Sequence, residues 1–391
     1  MATQANIVII GGGVIGLSAA FYIARDRERS HPKGRIIVLE KESVIGAGAT
    51  GKNAGGVRMQ FSSPVNIEFS RISIEIFERF TAETGHHLSF TQCGYLFLLT
   101  TPDAVQRYDT SAALQRSLGV EVRFLSPAEI HKMAPALKVD DVIRANFCPR
   151  DGVLDPNDLA VGYYHAARAL GVEVLTQTEA VGIDTAGDNI TGVRIRSHGE
   201  DTTIPTATVV NAAGPFARNI ARMAGLELSV QPFKRQIVTT GPLSFINPEF
   251  PMVVDVASGL YCHRETPGLL LGWADKRVVA GYDESVDSDY TDEILMRGLA
   301  RIPALEDATI NRAWAGLYET TPDHLAIIGR APDRPGMIYV SGFSGHGVMH
   351  APAAGIVVAD IIAEREPTID IHELSPERFA KGALVSEANV I

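Results

Sequence analysis

Three glycines near the start of the chain limit what its first segment can fold into. Gly11, Gly13 and Gly16 follow the apolar run Ile7–Ile10 and precede the helix-like run Leu17–Arg25, which is the strand–turn–helix context of a dinucleotide-binding unit. Gly11 permits a tight turn, Gly13 lets the backbone approach a pyrophosphate, and Gly16 lets the helix pack closely on the strand. The helix N-terminus then stabilises the phosphate charge.

A membrane span is the alternative for this segment, because the 18 residues from Ile7 to Ala24 carry no charge. Three consecutive glycines and a β-branched run suit a strand and a turn better than a continuous helix. The next predicted strand, Arg35–Leu39, is followed by Glu40, at about the spacing where an acidic side chain accepts a ribose hydroxyl. Strand, helix and acid together predict a dinucleotide site and no transmembrane segment.

Composition narrows the function classes. The chain has 391 residues, enough for two or three domains, and its net charge of -11 disfavours a nucleic-acid partner, since phosphate contacts need a basic face. The N-terminal residues lack the basic stretch and cleavage site of a signal peptide, so we expect a cytoplasmic protein. Cys93, Cys148 and Cys262 are widely spaced, and His86 and His87 have no third ligand nearby. Neither a disulfide framework nor a metal site is predicted.

Two further strand–turn–helix signals occur far downstream. Ala207–Val210 precedes a glycine-containing turn and the helix-like Phe216–Met223, and Met337–Val340 precedes a glycine-rich turn and the helical Ala351–Ala363. We therefore expect a nucleotide-binding domain that is discontinuous in sequence.

The intervening residues predict a second, mostly antiparallel domain inserted into the first. Short apolar strands are separated by turn residues, and two segments have helical patterns, the second of them capped by Thr291. The strands are Gly94–Thr100, Ile237–Thr240 and Gly268–Gly272, and the helices are Ala104–Leu118 and Asp292–Leu299.

Five motifs in a fixed order extend this interpretation: GGGVIG at the start, GATGKNAGGVR after Glu40, then VVNAAGP, GLYETTPDHLAIIG and GFSGHGVMHAPAAG. The set resembles the D-amino acid oxidase superfamily of FAD enzymes, in the branch of beta-subunit-like sarcosine oxidases, glycine oxidases and dye-linked proline dehydrogenases. The resemblance spans nearly the whole chain. It implies a discontinuous α/β FAD-binding Rossmann-type domain, residues 1–85 with 145–222 and 320–391, and an α+β substrate-binding domain with a mostly antiparallel sheet, residues 86–144 with 223–319.

The resemblance implies FAD with its ADP half on the first βαβ unit, Gly51–Gly56 beneath the flavin and Gly342–Met349 at its pyrimidine end. Backbone amides in such turns stabilise negative charge on a reduced flavin, and the same glycines also allow positive φ. The predicted FAD-binding residues are Gly11, Gly13, Val14, Ile15, Gly16, Glu40, Lys41, Thr50, Gly51, Asn53, Ala54, Gly55, Gly56, Val181, Ala213, Gly214, Gly342, Ser344, Gly345, His346, Gly347 and Met349.

Four residues match positions that the family uses at the substrate. Arg58 matches the residue that grips a carboxylate, a task suited to a planar guanidinium, and an ion pair is its alternative role. Tyr261 and Tyr318 match pocket tyrosines, and a core position is their alternative. His346 matches a residue near the flavin ring, and packing in a glycine-rich turn is its alternative.

Two departures from the family concern the flavin. Gly316 stands where monomeric sarcosine oxidases carry the cysteine linked to FAD, so we expect noncovalent FAD, with a histidyl linkage left open. Leu270 stands where those enzymes carry the lysine that activates oxygen. The electron acceptor is therefore either O2 or a partner protein.

Two other departures concern the substrate. Met349 replaces a second carboxylate-binding cation and Ala274 replaces a pocket histidine. They leave His263, His350 or a hydroxyl as alternative ligands of a carboxylate.

The resemblance implies oxidation of the C–N bond of a small amino or imino acid of the sarcosine, glycine or proline type. The amine would bind neutral, hydride would go to flavin N5, and the imine product would hydrolyse. Two other classes stay open: a subunit of a multi-component dehydrogenase with hetero-oligomeric partners, and a flavoprotein with mainly an assembly role. An NAD-dependent dehydrogenase is the remaining enzyme alternative.

Overall fold

The structure is a computed structural model that describes residues 6–30, 34–382 and 384–390. The strands are β1 Ile7–Ile10, β2 Ile36–Leu39, β3 Gly56–Val57, β4 Phe90–Thr91, β5 Tyr95–Leu99, β6 Arg123–Leu125, β7 Arg144–Cys148, β8 Gly152–Leu154, β9 Glu173–Leu175, β10 Thr178–Ala186, β11 Asn189–Ser197, β12 Glu200–Pro205, β13 Val209–Asn211, β14 Gln231–Thr240, β15 Met252–Asp255, β16 Leu260–Glu265, β17 Gly268–Trp273, β18 Ile310–Thr320, β19 Ile327–Ala331 and β20 Arg334–Ser341. The helices are α1 Val14–Ser30, α2 Pro64–Glu78, α3 Phe80–Thr84, α4 Pro102–Ser117, α5 Pro127–Met133, α6 Pro156–Ala169, α7 Ala217–Met223, α8 Ser288–Arg301, α9 Gly347–Ile362 and α10 Arg378–Lys381, with 3-10 turns at Gly214–Phe216, Pro303–Asp307 and His372–Leu374.

The three predicted strand–turn–helix units share one six-stranded sheet. Its order is β19-β20-β13-β1-β2-β9, in which only β19 pairs antiparallel. Every residue of β1 and β2 is buried, as expected of parallel strands that are covered on both faces. The discontinuous Rossmann-type sheet predicted from the sequence is confirmed.

Helices cover one face of this sheet, and a small antiparallel sheet covers the other. Helices α1, α6 and α9 pack together on the first face, and β10-β11-β12 with α7 lies on the second. Small residues let α1 and α9 approach closely: the Ser18 hydroxyl donates to the Ala351 carbonyl at 2.7 Å, and Gly355 lies against Ser18 and Tyr22. The apolar run that suggested a membrane span is therefore β1 followed by α1, and none of the described helices is long and apolar enough to cross a bilayer.

The second sheet has eight strands in the order β18-β14-β17-β16-β15-β5-β7-β6. Only β5 and β15 pair in parallel, so the mostly antiparallel sheet predicted for the substrate domain is confirmed. Helices α5 and α8 pack on one face. The predicted domain boundary at residue 145 falls inside β7, and the domain limits stay a prediction.

Four helices begin earlier than predicted: α1 begins at Val14 rather than Leu17, α4 begins at Pro102 rather than Ala104, and α8 and α9 also begin early. The predicted cap Thr291 is wrong, because α8 begins at Ser288 and the Asp287 carboxylate accepts from the Tyr290 amide at 3.0 Å. Inside the helix, the Thr291 hydroxyl donates to the Asp287 carbonyl at 2.9 Å. Helix α9 begins at Gly347 rather than Ala351, so the glycine-rich turn leads directly into it.

We predict that Gly355→Ala destabilises the protein through the contact between α1 and α9. A Cβ at this position would lie 2.3 Å from Ser18 Oγ and 2.9 Å from the Ser18 backbone. Replacing glycine by alanine in a helix increases the free energy of unfolding by roughly 1 kcal/mol through helix propensity. Overpacking lowers it by about 1–3 kcal/mol, and here the cost exceeds the gain because backbone atoms of Ser18 have to move. Urea unfolding with excess FAD measures the loss. Gly281→Ala, with open space around its Cβ, is the control, and equal stability of the two variants would contradict the prediction.

Candidate active site

Glycine-rich turns meet where β1, β13 and β20 end. Gly11 has φ of 118°, and a Cβ there would lie 2.2 Å from the Ala212 carbonyl oxygen, in the turn after β13. Gly345, in the turn after β20, has φ of 97° and packs against the Tyr318 ring, where a Cβ would lie 2.4 Å from Cε2. Only glycine fits these two positions, so the turns close tightly around the carboxyl edge of the sheet.

A cavity of about 630 Å³ opens at this edge, between the parallel sheet and the eight-stranded sheet. We call it the long cavity. The second sheet contributes residues of β14, β16 and β18 to its walls. Of the predicted FAD-binding residues, the following line it: Gly11, Gly13, Val14, Ile15, Glu40, Lys41, Thr50, Asn53, Ala54, Ala213, Gly214, Gly345 and Gly347.

Glu40 lies in the wall of the long cavity where β2 ends. Its carboxylate accepts from the Gly12 amide at 3.0 Å and the Glu42 amide at 2.9 Å, and burial raises the pKa of Glu40. Beside it, the Lys41 ammonium lies 3.8 Å from the centre of the Phe216 ring. Glu40 thus joins two turns while it lines the cavity.

The N-terminus of α1 is open to an anion. The Thr50 hydroxyl accepts from the Val14 amide at 3.1 Å, and the first turn of the helix holds no acidic residue. The first turn of α1 therefore supplies no carboxylate to the positive end of the helix dipole, and the nearby Glu40 carboxylate is bonded to the Gly12 amide.

A smaller cavity of about 40 Å³ adjoins the long one, and we call it the inner cavity. The two share five wall residues, and Arg58, His346 and Met349 line the inner one. The shared residues are Asn53, Ala54, Tyr261, Tyr318 and Gly345. The structure therefore brings together the four residues that the sequence places at the substrate: Arg58, Tyr261, Tyr318 and His346.

Arg58 is 1% exposed and is held by carbonyl oxygens instead of carboxylates. Its Nη1 donates to the Gln60 carbonyl at 2.7 Å and its Nη2 to the Asn389 carbonyl at 2.6 Å. The guanidinium lies 3.8 Å from the centre of the Phe61 ring, while Nε is buried without an acceptor. Among the described residues Arg58 forms no ion pair, so the alternative role considered for it is not the one observed.

Two buried histidines, His346 and His350, lie near Arg58 in the structure. The Nε2 atom of His346 lies 3.5 Å from Nη2 of Arg58, and burial together with the Arg58 charge lowers the pKa of His346 well below its usual value. His346 is therefore neutral at pH 7. His350 has its Nε2 atom 2.9 Å from the Ser70 hydroxyl, and burial lowers its pKa to about 3. Neither His350 nor His263, the two other candidate carboxylate ligands, lines a cavity.

Asp151 supports the Arg58 loop from behind. This fully buried carboxylate accepts from the Met59 amide at 2.9 Å and the Gln60 side-chain amide at 3.1 Å. Burial raises the pKa of Asp151 to about 7. The carboxyl group is therefore partly protonated at neutral pH.

Sequence reasoning missed many wall residues of the two cavities, among them Tyr95, Met252 and Glu319. Tyr95 and Met252 line the inner cavity at the first residues of β5 and β15, and Glu319 lines the long one. The Oε2 atom of Glu319 is buried without a partner, its Oε1 accepts weakly from the Phe343 amide at 3.4 Å, and burial raises its pKa to about 7. Glu319 follows Tyr318 in the GLYETTPDH motif, which is the signal that could have identified it.

Some of the predicted FAD-binding residues do not line the long cavity. Gly56, Ser344, His346 and Met349 line the inner cavity only. Gly16, Gly51, Gly55, Val181 and Gly342 line neither, and Val181 lies at a bulge beside Ala180, which does line the long cavity. Gly16 instead packs against Gly11, whose carbonyl oxygen would lie 2.0 Å from a Cβ.

The long cavity suits FAD by its chemistry. The N-terminus of α1, which has no acidic residue in its first turn, suits a pyrophosphate. The Glu40 carboxylate at the end of β2 suits a ribose hydroxyl. The unpartnered Glu319 oxygen suits a hydroxyl or N–H donor. Its volume is in the range of cofactor sites. Gly316 lies in its wall, and among the described residues no cysteine or histidine does, which supports noncovalent attachment.

Comparison with known proteins identifies relatives along the whole chain. The family model described as FAD dependent oxidoreductase matches residues 6–361. Mitochondrial dimethylglycine dehydrogenase of Rattus norvegicus is 28% identical over 97% of the chain, which spans only 45% of that relative. L-proline dehydrogenase from P. horikoshii has a TM-score of 0.89 at 32% identity over 98% of this chain and 100% of that one. Glycine oxidase from Geobacillus kaustophilus has a TM-score of 0.83 at 26% identity over 96% and 99%.

We predict that Glu40→Ala weakens FAD binding. The substitution removes a carboxylate that lines the long cavity and fixes the Gly12 amide. Hydrogen bonds to a charged group contribute about 1.5–3 kcal/mol each, so we expect the dissociation constant of FAD to rise roughly 10–100-fold. Quenching of FAD fluorescence by the apoprotein measures it. The exposed Glu200→Ala is the control, and equal FAD affinities of the two variants would remove Glu40 from the binding site.

We predict that Asp151 makes stability depend on pH. Its folded pKa of about 7 lies above the ordinary value, so the folded state binds the proton more tightly than the unfolded chain. The contribution is largest below about pH 4 and is lost as pH rises to 7, by at most about 1.4 kcal/mol per pH unit. Asp151→Asn removes the part of the dependence that Asp151 contributes and leaves the part from Glu319, whose pKa is also raised to about 7, whereas the exposed Asp188→Asn keeps both. Urea unfolding from pH 4 to pH 8 with excess FAD tests this, and parallel profiles for all three proteins would contradict it.

Proposed function

This chain belongs to the FAD-dependent oxidoreductase family, and we propose that it oxidises the C–N bond of a small amino or imino acid. One observation carries the proposal: a buried guanidinium without a carboxylate partner lines a small cavity beside the cavity that suits FAD. The Arg58 guanidinium is bonded to two backbone carbonyls, and its buried Nε has no acceptor. A substrate carboxylate would complete its hydrogen bonds and neutralise its charge.

The size and the walls of the inner cavity support a small substrate. The cavity of about 40 Å³ is enclosed by Tyr95, Tyr261, Tyr318 and Met252, apart from Arg58 and the turn residues. Burial raises the pKa of Tyr261 and Tyr318, so both phenols stay protonated. These side chains supply apolar surface and hydroxyl groups and leave Arg58 as the charged group.

The charges favour a neutral amine. Among the described residues that line the inner cavity none is a carboxylate, and His346 is neutral beside the Arg58 cation. An ammonium group would therefore lie near a positive charge without a counter-ion, which is unfavourable in a buried site. A neutral amine keeps the lone pair that hydride loss requires, and no side-chain base is needed.

Bound FAD supplies the hydride acceptor. The α1 N-terminus, Glu40 and Glu319 would hold FAD. Arg58 would orient the substrate by binding its carboxylate. Dimethylglycine, L-proline and glycine stand in the names of the relatives, which supports N-methyl, cyclic or simple amino acids as the substrate class.

A partner acceptor is favoured over O2. Leu270 packs with Tyr95, Phe97, Ile237 and Tyr261 in an apolar cluster and brings no cation to either cavity. The proposal therefore includes a dehydrogenase that passes electrons to another protein or carrier. Partner subunits and a cytoplasmic location stay predictions.

We predict that one small amino acid bleaches the visible flavin band. The yellow protein is mixed anaerobically with sarcosine, dimethylglycine, glycine and each enantiomer of proline, and the absorbance is followed before and after air is admitted. Slow return of colour is expected because no cation lies at Leu270, and rapid return would indicate an oxidase. Bleaching by none of these compounds would overturn the proposed substrate class.

We predict that Arg58→Met lowers kcat/KM by about 100-fold or more and leaves FAD bound. The change removes a charge-assisted carboxylate contact, and such bonds contribute roughly 1.5–3 kcal/mol each. The exposed Arg107→Met is the matched control and should behave as the unaltered protein. Steady-state kinetics with the substrate that bleaches the flavin give the result. Unchanged kinetics in Arg58→Met would remove this residue from the substrate site.

A further inference from the structure

A segment far from Arg58 in sequence completes the surroundings of this residue. Residues 384–390, which we call the Glu387 segment, lie near the Arg58 loop, and from residue 386 onward exposed and buried positions alternate. Glu387 is 2% exposed and Asn389 is 3% exposed, while Ser386, Ala388 and Val390 face outward. Two polar side chains are thus buried in a segment with no regular secondary structure.

The Glu387 carboxylate is fully engaged by the start of α2. One oxygen accepts from the Ser62 amide at 2.8 Å and the Ser62 hydroxyl at 2.6 Å. The other accepts from the Ser63 amide at 3.1 Å, the Ser63 hydroxyl at 2.7 Å and the Asn66 side chain at 3.2 Å. Since α2 has no acidic residue in its first turn and no side-chain cap from Ser63, this distant carboxylate provides the negative charge at its N-terminus.

The same segment then reaches Arg58 through its backbone. The Asn389 amide donates to Glu387 at 2.9 Å, and the Asn389 carbonyl accepts from Arg58 Nη2 at 2.6 Å. The Asn389 side chain also donates to the Gln60 carbonyl at 3.4 Å, and that carbonyl accepts from Arg58 Nη1. Both acceptors that fix the guanidinium are therefore connected to the Glu387 anchor.

We propose that Glu387 is a positioning residue for Arg58: by anchoring the Asn389 carbonyl, it holds the guanidinium in a fixed orientation at the wall of the inner cavity, where the substrate carboxylate binds. This inference rests on the proposed function of Arg58. An arginine side chain loses considerable rotamer entropy when it is fixed, and a site that fixes it in advance binds an anion more tightly. Without the anchor, Arg58 keeps its charge but loses its orientation.

The test titrates the FAD-loaded protein with acetate and, separately, with its uncharged analogue acetamide, following the visible flavin band. In Glu387→Gln an amide replaces the carboxylate among six donors, so the anchor fails. We expect the acetate dissociation constant to rise about 10-fold or more, by loss of preorganisation, and the acetamide constant to stay unchanged. The exposed neighbour Ser386→Ala should match the unaltered protein for both compounds.

Two variants guard against a folding defect. Ser63→Ala removes one hydroxyl donor to Glu387 and should give a smaller, several-fold rise for acetate alone. Asn389→Ala keeps the backbone carbonyl that Arg58 contacts and removes only the long bond to the Gln60 carbonyl, so it should weaken acetate binding less than Glu387→Gln does. Equal weakening of acetate and acetamide in Glu387→Gln would show general damage to the cavity and overturn the inference.

Arg58→Met separates this inference from the proposed function. If Arg58→Met weakens acetate binding while Glu387→Gln and Ser63→Ala do not, the positioning role is wrong and the carboxylate site stands. If acetate has no effect on the unaltered protein, or binds equally well to Arg58→Met, the carboxylate site itself is wrong, and the positioning role with it.

Discussion

The close approach of two turns at the carboxyl edge of the parallel sheet is the constraint on which the rest of the structure depends. Gly11 lies against the Ala212 carbonyl, and this contact lets β1 and β13 end side by side with the α1 N-terminus directed into the long cavity. A side chain at Gly11 would separate the turns. Because the second sheet closes over the same edge, Tyr261 and Tyr318 line the same cavity as these turns.

Burial of Arg58 is the second organising feature, and it is energetically distinct from an ordinary buried ion pair. A buried cation is costly unless hydrogen bonds compensate, and here two carbonyls and the Phe61 ring provide the compensation. A resident carboxylate would have satisfied the charge more fully but would have competed with a substrate. Burial, together with the same charge, keeps His346 neutral, so Arg58 is the charged side chain of the inner cavity.

The fold could be predicted because its signals are local. The run Ile7–Ile10 with the glycines after it specifies one βαβ unit, and two similar signals downstream predicted β13 and β20, whereas the parallel strand β9 at the edge of the sheet was not predicted. The start of α8 was missed because Asp287 and Thr291 are both good capping residues in one acidic stretch. Hydrogen bonding of Asp287 to Gln236 of β14, through its amide and its carbonyl, favours the earlier start, and this tertiary contact has no local signal.

The site could be predicted only in part, because tertiary contacts without a local sequence signal set the orientation of its side chains. The motifs identified Arg58 and the tyrosines by residue type and order, whereas the orientation of Arg58 is set by the Asn389 carbonyl, 331 positions away. A backbone carbonyl leaves no trace in residue identity, and Glu387 is one acidic residue among many in the chain. Substrate affinity in such a site depends on how firmly the guanidinium is held as well as on its presence. Two relatives that share the arginine can therefore differ in affinity through segments that no motif includes.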